Sequence, residues 1–152
     1  MSLFIFQKKM YHYILYYSFS KSKISNSGLG ELLSKSIEWN SGENITGLLI
    51  YRFNQEFNRG NFLQIIEGPK KAIENVWPRI LKDTKHHTIT ILEEGSYDQR
   101  SFPNWSMGFK NLNDQDFKEL TGFLELTDES FWTDISNHKP RVFQLLKNFY
   151  DN

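Results

Sequence analysis

The chemistry this chain could perform starts with an amide in an unexpected place. Phe62, Gln64 and Ile66 alternate along NFLQIIE (61–67), so a strand there sets Gln64 between two bulky apolar neighbours on one face. A buried amide wants three or four hydrogen-bond partners, and leaving it without them costs roughly 1–3 kcal/mol. Either the protein supplies those partners or a polar ligand does. Tyr16 sits in YHYILYYS (11–18), where it shares a face with Ile14 and Ser18 while Tyr13, Leu15 and Tyr17 share the other. Asn40 falls just past the expected end of a helix and shortly before a strand, placed either to point along the sheet face or simply to stop the helix, since Asn tolerates left-handed backbone. Met107, in WSMGF, reads as packing, and Trp105 as core or as a lid.

Other chemistries find less support. The histidines His12, His86, His87 and His138 include no pair at the i, i+4 helical spacing that binds zinc, and no metal site is expected. His86-His87 reads as a solvated helix end with favourable dipole placement. The chain has no cysteine. That excludes disulfides, thiolate metal sites, a cysteine nucleophile and any cofactor attached to or trapped by a thiol.

The elements that must hold these residues belong to a chain of 152 residues, a length suited to one domain with a short appendage. Its 18 basic and 18 acidic side chains balance, so no basic face argues for nucleic acid or anionic lipid. No apolar run approaches the ~20 residues of a membrane span. The first ten residues lack the charge-then-apolar order of a signal peptide, and a soluble, cytoplasmic protein is expected. The 13 Phe, 7 Tyr and 4 Trp must be mostly core.

Strand-type sequence runs over 11–18, followed by a helix capped at Ser27, with Leu29, Leu32, Leu33 and Ile37 at near-helical spacing, stopping around Trp39–Gly42. ITGLLIYRF (45–53) and 61–67 form a hairpin across a long loop, Asn54–Asn61. A second helix starts at Pro69 and runs to Lys85, with Pro78 inside it as an expected kink or split. TITILEE (88–94) and a stretch around 102–109 supply two more strands. The order β-α-β-β-α-β-β predicts an α+β, ferredoxin-like fold with two helices side by side on one face of an antiparallel sheet. DQDFKELTGFL, DESFWTDI and PRVFQLLKNFY predict two or three short C-terminal helices packing on the domain or on a partner.

ILYYS (14–18), NSGENITGLLIY (40–51), NFLQIIEG (61–68), RILKDTKHH (79–87) and RSFPNWSMGF (100–109), in that order and spacing, resemble a BLUF domain, the blue-light sensor that uses a flavin. The resemblance covers residues 11–109 as the flavin-binding domain and leaves 110–152 as a C-terminal helical extension. It implies a photoreceptor, not an enzyme, with FAD (FMN the alternative) bound noncovalently between the two helices. Carried over by motif position, Tyr16 is the electron and proton donor and Gln64 the amide between that phenol and the flavin ring. Asn40 would bond the ring's pyrimidine edge. Arg79 and Asp83 match positions near the polar rim and ribityl chain, and Lys85 the phosphate end, where an arginine is common. Trp105 and Met107 match the segment that passes the signal outward. Leu32, Leu33, Ile37 and Ile80 are expected as aliphatic walls for the flavin's apolar face.

The main rival is an RNA-binding module on the same scaffold, because RGNFLQI (59–65) faintly resembles an aromatic RNA-recognition motif. Asn61 stands where its first aromatic belongs, and the zero net charge argues against it. A flavoenzyme would want a nicotinamide site, and no G-x-G-x-x-G follows a strand. Output is expected in trans, through an unidentified protein partner. Phe117, Phe123, Phe131, Trp132, Phe143, Phe149 and Tyr150 look like more aromatics than short helices need, so the extension is expected to form a homo-oligomer or partner surface.

Overall fold

The aromatic-rich run Tyr11–Ser20, with Ile14 and Leu15 at its centre, makes the first strand, β1, whose side chains alternate between two faces. In the computed structural model, which describes residues 9–113 and 129–151, it is followed by α1 (Asn26–Glu43), β2 (Thr46–Asn54), β3 (Arg59–Gly68), α2 (Lys70–Lys82), β4 (His86–Tyr97), β5 (Gly108–Asn111), α3 (Glu129–His138) and α4 (Pro140–Asp151). The sheet order is β4-β1-β3-β2-β5, antiparallel except for the β2–β5 pair. This is the ferredoxin-like α+β arrangement with one added strand.

Both sheet faces are buried. On one, Leu29 and Leu33 of α1 and Ala72, Ile73 and Val76 of α2 pack with Ile14, Tyr16, Leu49, Tyr51, Phe62 and Ile66. On the other, Ile135 of α3 and Val142 and Leu146 of α4 pack with Leu15, Leu48, Ile50, Leu63 and Ile65. Trp132, Phe143, Phe149 and Tyr150 lie against this second cluster, so much of the tail's aromatic surface meets the sheet. The helix expected in DQDFKELTGFL, with Phe117 and Phe123, lies outside the described residues, as does the Phe131 side chain. Gly47 keeps β2 close to β3, because a Cβ there would lie 2.2 Å from the Ile65 carbonyl oxygen.

Several boundaries differ from the sequence reading. Ser25, not Ser27, caps α1, its hydroxyl accepting from the Gly28 N–H at 3.1 Å. Asn44, with φ 58°, takes the left-handed C-cap, so α1 runs past Trp39–Gly42 and Asn40 lies inside its last turn. The hairpin loop shrinks to Gln55–Asn58, because Asn54 and Arg59 already pair and Asn58 turns the chain at φ 48°. Helix α2 passes through Pro78 without splitting and ends at Lys82, where Asp83 becomes extended and its carboxylate accepts the Lys85 N–H at 2.9 Å. The expected strand around 102–109 is mostly loop, and β5 begins only at Gly108.

That loop is fastened by a buried carboxylate. Glu67, 1% exposed on β3, accepts from the Ser101 and Phe102 backbone N–H groups and from the Thr46 hydroxyl, each at 2.8 Å. Arg100 donates to the Asn44 carbonyl and the Thr46 hydroxyl, both at 2.8 Å. Lys139, at the α3–α4 corner, donates to the Ser101 hydroxyl at 2.7 Å.

Candidate functional site

β1 and β3 pair so that Tyr16 faces Gln64 directly across the ladder, both on the side covered by α1 and α2. The Tyr16 hydroxyl donates to Gln64 Oε1. Gln64 Nε2 in turn donates to Met107 Sδ at 3.5 Å, a weak acceptor. The amide between two apolar neighbours therefore has protein partners on both its ends. Burial pushes the Tyr16 phenol well above its usual range, and the nearby Asp83 carboxylate adds to the effect. Trp77 presses on the Tyr16 ring edge-on at 5.1 Å between centroids.

Above this pair, between α1 and α2, opens a cavity of about 490 Å³. Of the residues singled out from sequence, Tyr16, Leu32, Asn40, Gln64, Arg79, Ile80, Asp83 and Lys85 line it. Four do not. Leu33 is fully buried in the core behind the wall, and Ile37 packs beside it. Met107, 1% exposed, lies in the core beneath the site and meets it through its contact with Gln64 Nε2. Trp105 packs with the opposite-face cluster, its ring 6.0 Å from that of Phe102.

Asn40 is buried, and its Nδ2 donates to the Ser106 carbonyl at 2.7 Å, while Ser41 and Ser106 share a hydroxyl contact at 2.9 Å. The end of α1 thus holds the segment that carries Met107. His86 is no solvated helix end: it opens β4, half-buried, with Nε2 2.7 Å from the Ile80 carbonyl and Nδ1 2.9 Å from the Ser18 hydroxyl. A carbonyl only accepts, so Nε2 carries a hydrogen. Sequence reasoning also passed over Lys35, Trp39 and Lys82, which line the cavity. The available signal was the i, i+4 spacing of Lys35 and Trp39, which sets them on one side of α1.

Leu32, Leu49, Ile66, Val76 and Ile80 provide apolar walls, two amides lie deeper, and Lys35, Arg79, Lys82 and Lys85 supply positive charge. Such a donor set fits a flat conjugated ring with polar edges and an anionic tail, which is the description of a phosphorylated flavin. Among the described residues no cluster of His, Cys, Asp and Glu fits a metal ion, and no helix is long and apolar enough to cross a membrane.

The family described as BLUF, "Sensors of blue-light using FAD", matches residues 11–108. Photoactivated adenylate cyclase subunit beta of Euglena gracilis is 27% identical over 95 residues, covering 62% of this chain and 10% of that protein. The chain thus spans about a tenth of the length of the curated relatives it matches. A bacterial light-regulated adenylyl cyclase superposes with TM-score 0.62 at 29% identity, over 93% of this chain and 34% of that one. BlrB, a BLUF protein in its dark state, superposes with TM-score 0.61 at 20% identity, over 91% of this chain and 85% of that one, a likeness of fold.

Proposed function

The chain belongs to the BLUF family of flavin-based blue-light sensors, and from that premise we propose that the cavity between α1 and α2 holds a flavin noncovalently and that light rearranges the hydrogen bonds of Gln64. The observation that carries this reading is the run from Tyr16 through Gln64 to Met107 at the cavity floor. When bound, the flavin supplies blue absorption and an excited state that accepts an electron.

Tyr16 is the donor: burial keeps its proton on the phenol oxygen, held against Gln64 Oε1, until the ring is oxidised. Gln64 is the switch. A half-turn of its amide exchanges Oε1 for Nε2, which takes the acceptor away from Tyr16 and the donor away from Met107. The change reaches Met107, and through it the start of β5 one residue later. Asn40 and Gln64 would offer amide groups to the polar ring edge, Arg79 and Asp83 would hold the ribityl chain, and Lys85 the phosphate end. The cationic rim favours a phosphorylated flavin, and we assign FAD, with FMN the alternative.

The cyclase activity in the relatives' names is that of much longer proteins. We assign this chain sensing without turnover of its own, in the cytoplasm, with output through a protein partner and self-association. The RNA-binding alternative requires an open sheet face, whereas α3 and α4 cover the face that the cavity leaves. The test is an absorption spectrum of purified protein in the dark, after blue light and during recovery. A flavin spectrum that shifts red and returns is expected. A bound flavin that never shifts would remove the role given to Gln64, and no flavin would remove the reading altogether.

A further inference from the structure

Away from Tyr16 and Gln64, the cavity wall carries an aromatic ring amid four cations. Lys35 and Trp39 stand one turn apart on α1, Arg79 and Lys82 on α2, and Lys85 just beyond it. Among the described residues, Asp83 is the single carboxylate lining the cavity. An uncharged ring system held by amides needs none of this positive charge. A ligand bearing more than one negative charge does.

Trp39 is built into this rim. The Arg79 guanidinium lies 3.5 Å from its ring centroid, a cation–π contact that spans the gap between α1 and α2 and fixes the indole in place. Yet Trp39 is 43% exposed. An indole braced by a guanidinium, with much of its surface open, at the edge of a cavity and beside lysines, has the composition of a nucleotide platform. Bases stack on aromatic faces with little demand on sequence or orientation, and phosphates pair with the neighbouring ammonium groups.

We propose that Trp39 and the surrounding lysines bind the adenosine diphosphate half of FAD, with adenine stacked on the indole and the diphosphate paired with Lys35 and Lys82. The proposal rests on reading the cavity as a flavin site and extends it to a second subsite, one that distinguishes a dinucleotide from a mononucleotide. FMN has one phosphate and no purine, and riboflavin has neither. The rim therefore ranks the three as FAD, then FMN, then riboflavin.

Full-length protein stripped of flavin is titrated calorimetrically with FAD, FMN and riboflavin. A stacked base is expected to make FAD bind about tenfold more tightly than FMN. Trp39→Ala erases that preference, and Trp39→Phe, which restores an aromatic face, recovers most of it. Because the readout is a ratio of affinities within one variant, a general weakening of flavin binding common to all three ligands leaves it in place. Equal affinity for FAD and FMN in the unaltered protein, or a preference that survives Trp39→Ala, overturns the adenosine site and leaves the flavin pocket standing. Failure to bind any of the three removes both.

Discussion

Tyr16 and Gln64 place a titratable, oxidisable ring and an amide with two different ends in contact, the ring buried and the amide half-buried at the cavity wall. The Tyr16→Phe protein should keep bound flavin but lose the light-induced red shift, because phenylalanine offers no proton and is hard to oxidise. Gln64→Ala should behave alike in the same dark and lit spectra. Wild-type photocycling in either would withdraw that residue's role. The raised phenol also has a signature without light. A group whose folded pKa lies above its unfolded value adds stability that is full below the unfolded value, about 10 for tyrosine, and is lost as pH rises toward the folded one. Unfolding midpoints followed by circular dichroism should thus fall less steeply above about pH 10 in Tyr16→Phe than in the unaltered chain. The faces of both residues were legible in sequence because period-two alternation fixes them, whereas Tyr16 was set apart from Tyr13 and Tyr17 only by the motif resemblance. Asn40 was legible as a candidate but misplaced: two asparagines lie near the end of α1, and composition does not say which one turns left-handed. It is Asn44. His86 was misread as a solvated helix end because β4 starts earlier than its β-branched run implies.

At the scale of elements, the loop between β4 and β5 was the hardest to read. SFPNWSMGF has enough aromatic residues to resemble a strand, yet its backbone is spent on side chains from elsewhere: Glu67 on Ser101 and Phe102, and Asn40 on Ser106. No local pattern reveals a carboxylate 34 residues away. Glu67→Ala would leave two N–H groups and a hydroxyl without that acceptor, and should destabilise the protein by roughly 2–5 kcal/mol in a urea titration. A second feature lies in β4, whose register against β1 slips between Tyr17 and Phe19. Nearby, Thr88 has φ 54°, a left-handed conformation that a β-branched residue seldom adopts. Thr88→Gly should relieve that strain and stabilise by about 1 kcal/mol, seen as a rise of a few degrees in Tm.

Across the whole molecule, the sheet divides two cores. The order of strands and helices in residues 11–109 was readable from hydrophobic period, but which face the tail covers was not, since amphipathic helices fit a partner as well as their own sheet. Leu146 on α4 is fully buried against the second cluster, so Leu146→Ala should cost about 2–5 kcal/mol in the same titration. No change on chemical denaturation would mean that α4 does not lie on the sheet in solution. The two-sided burial also bears on how such a sequence drifts. Along β1 and β3 the even positions, Ile14, Tyr16, Gln64 and Ile66, answer to the cavity side, and the odd ones, Leu15, Leu63 and Ile65, to the tail. One stretch of chain thus carries two interleaved inheritances. A lineage that traded this tail for another partner would rewrite the odd positions and leave the even ones untouched.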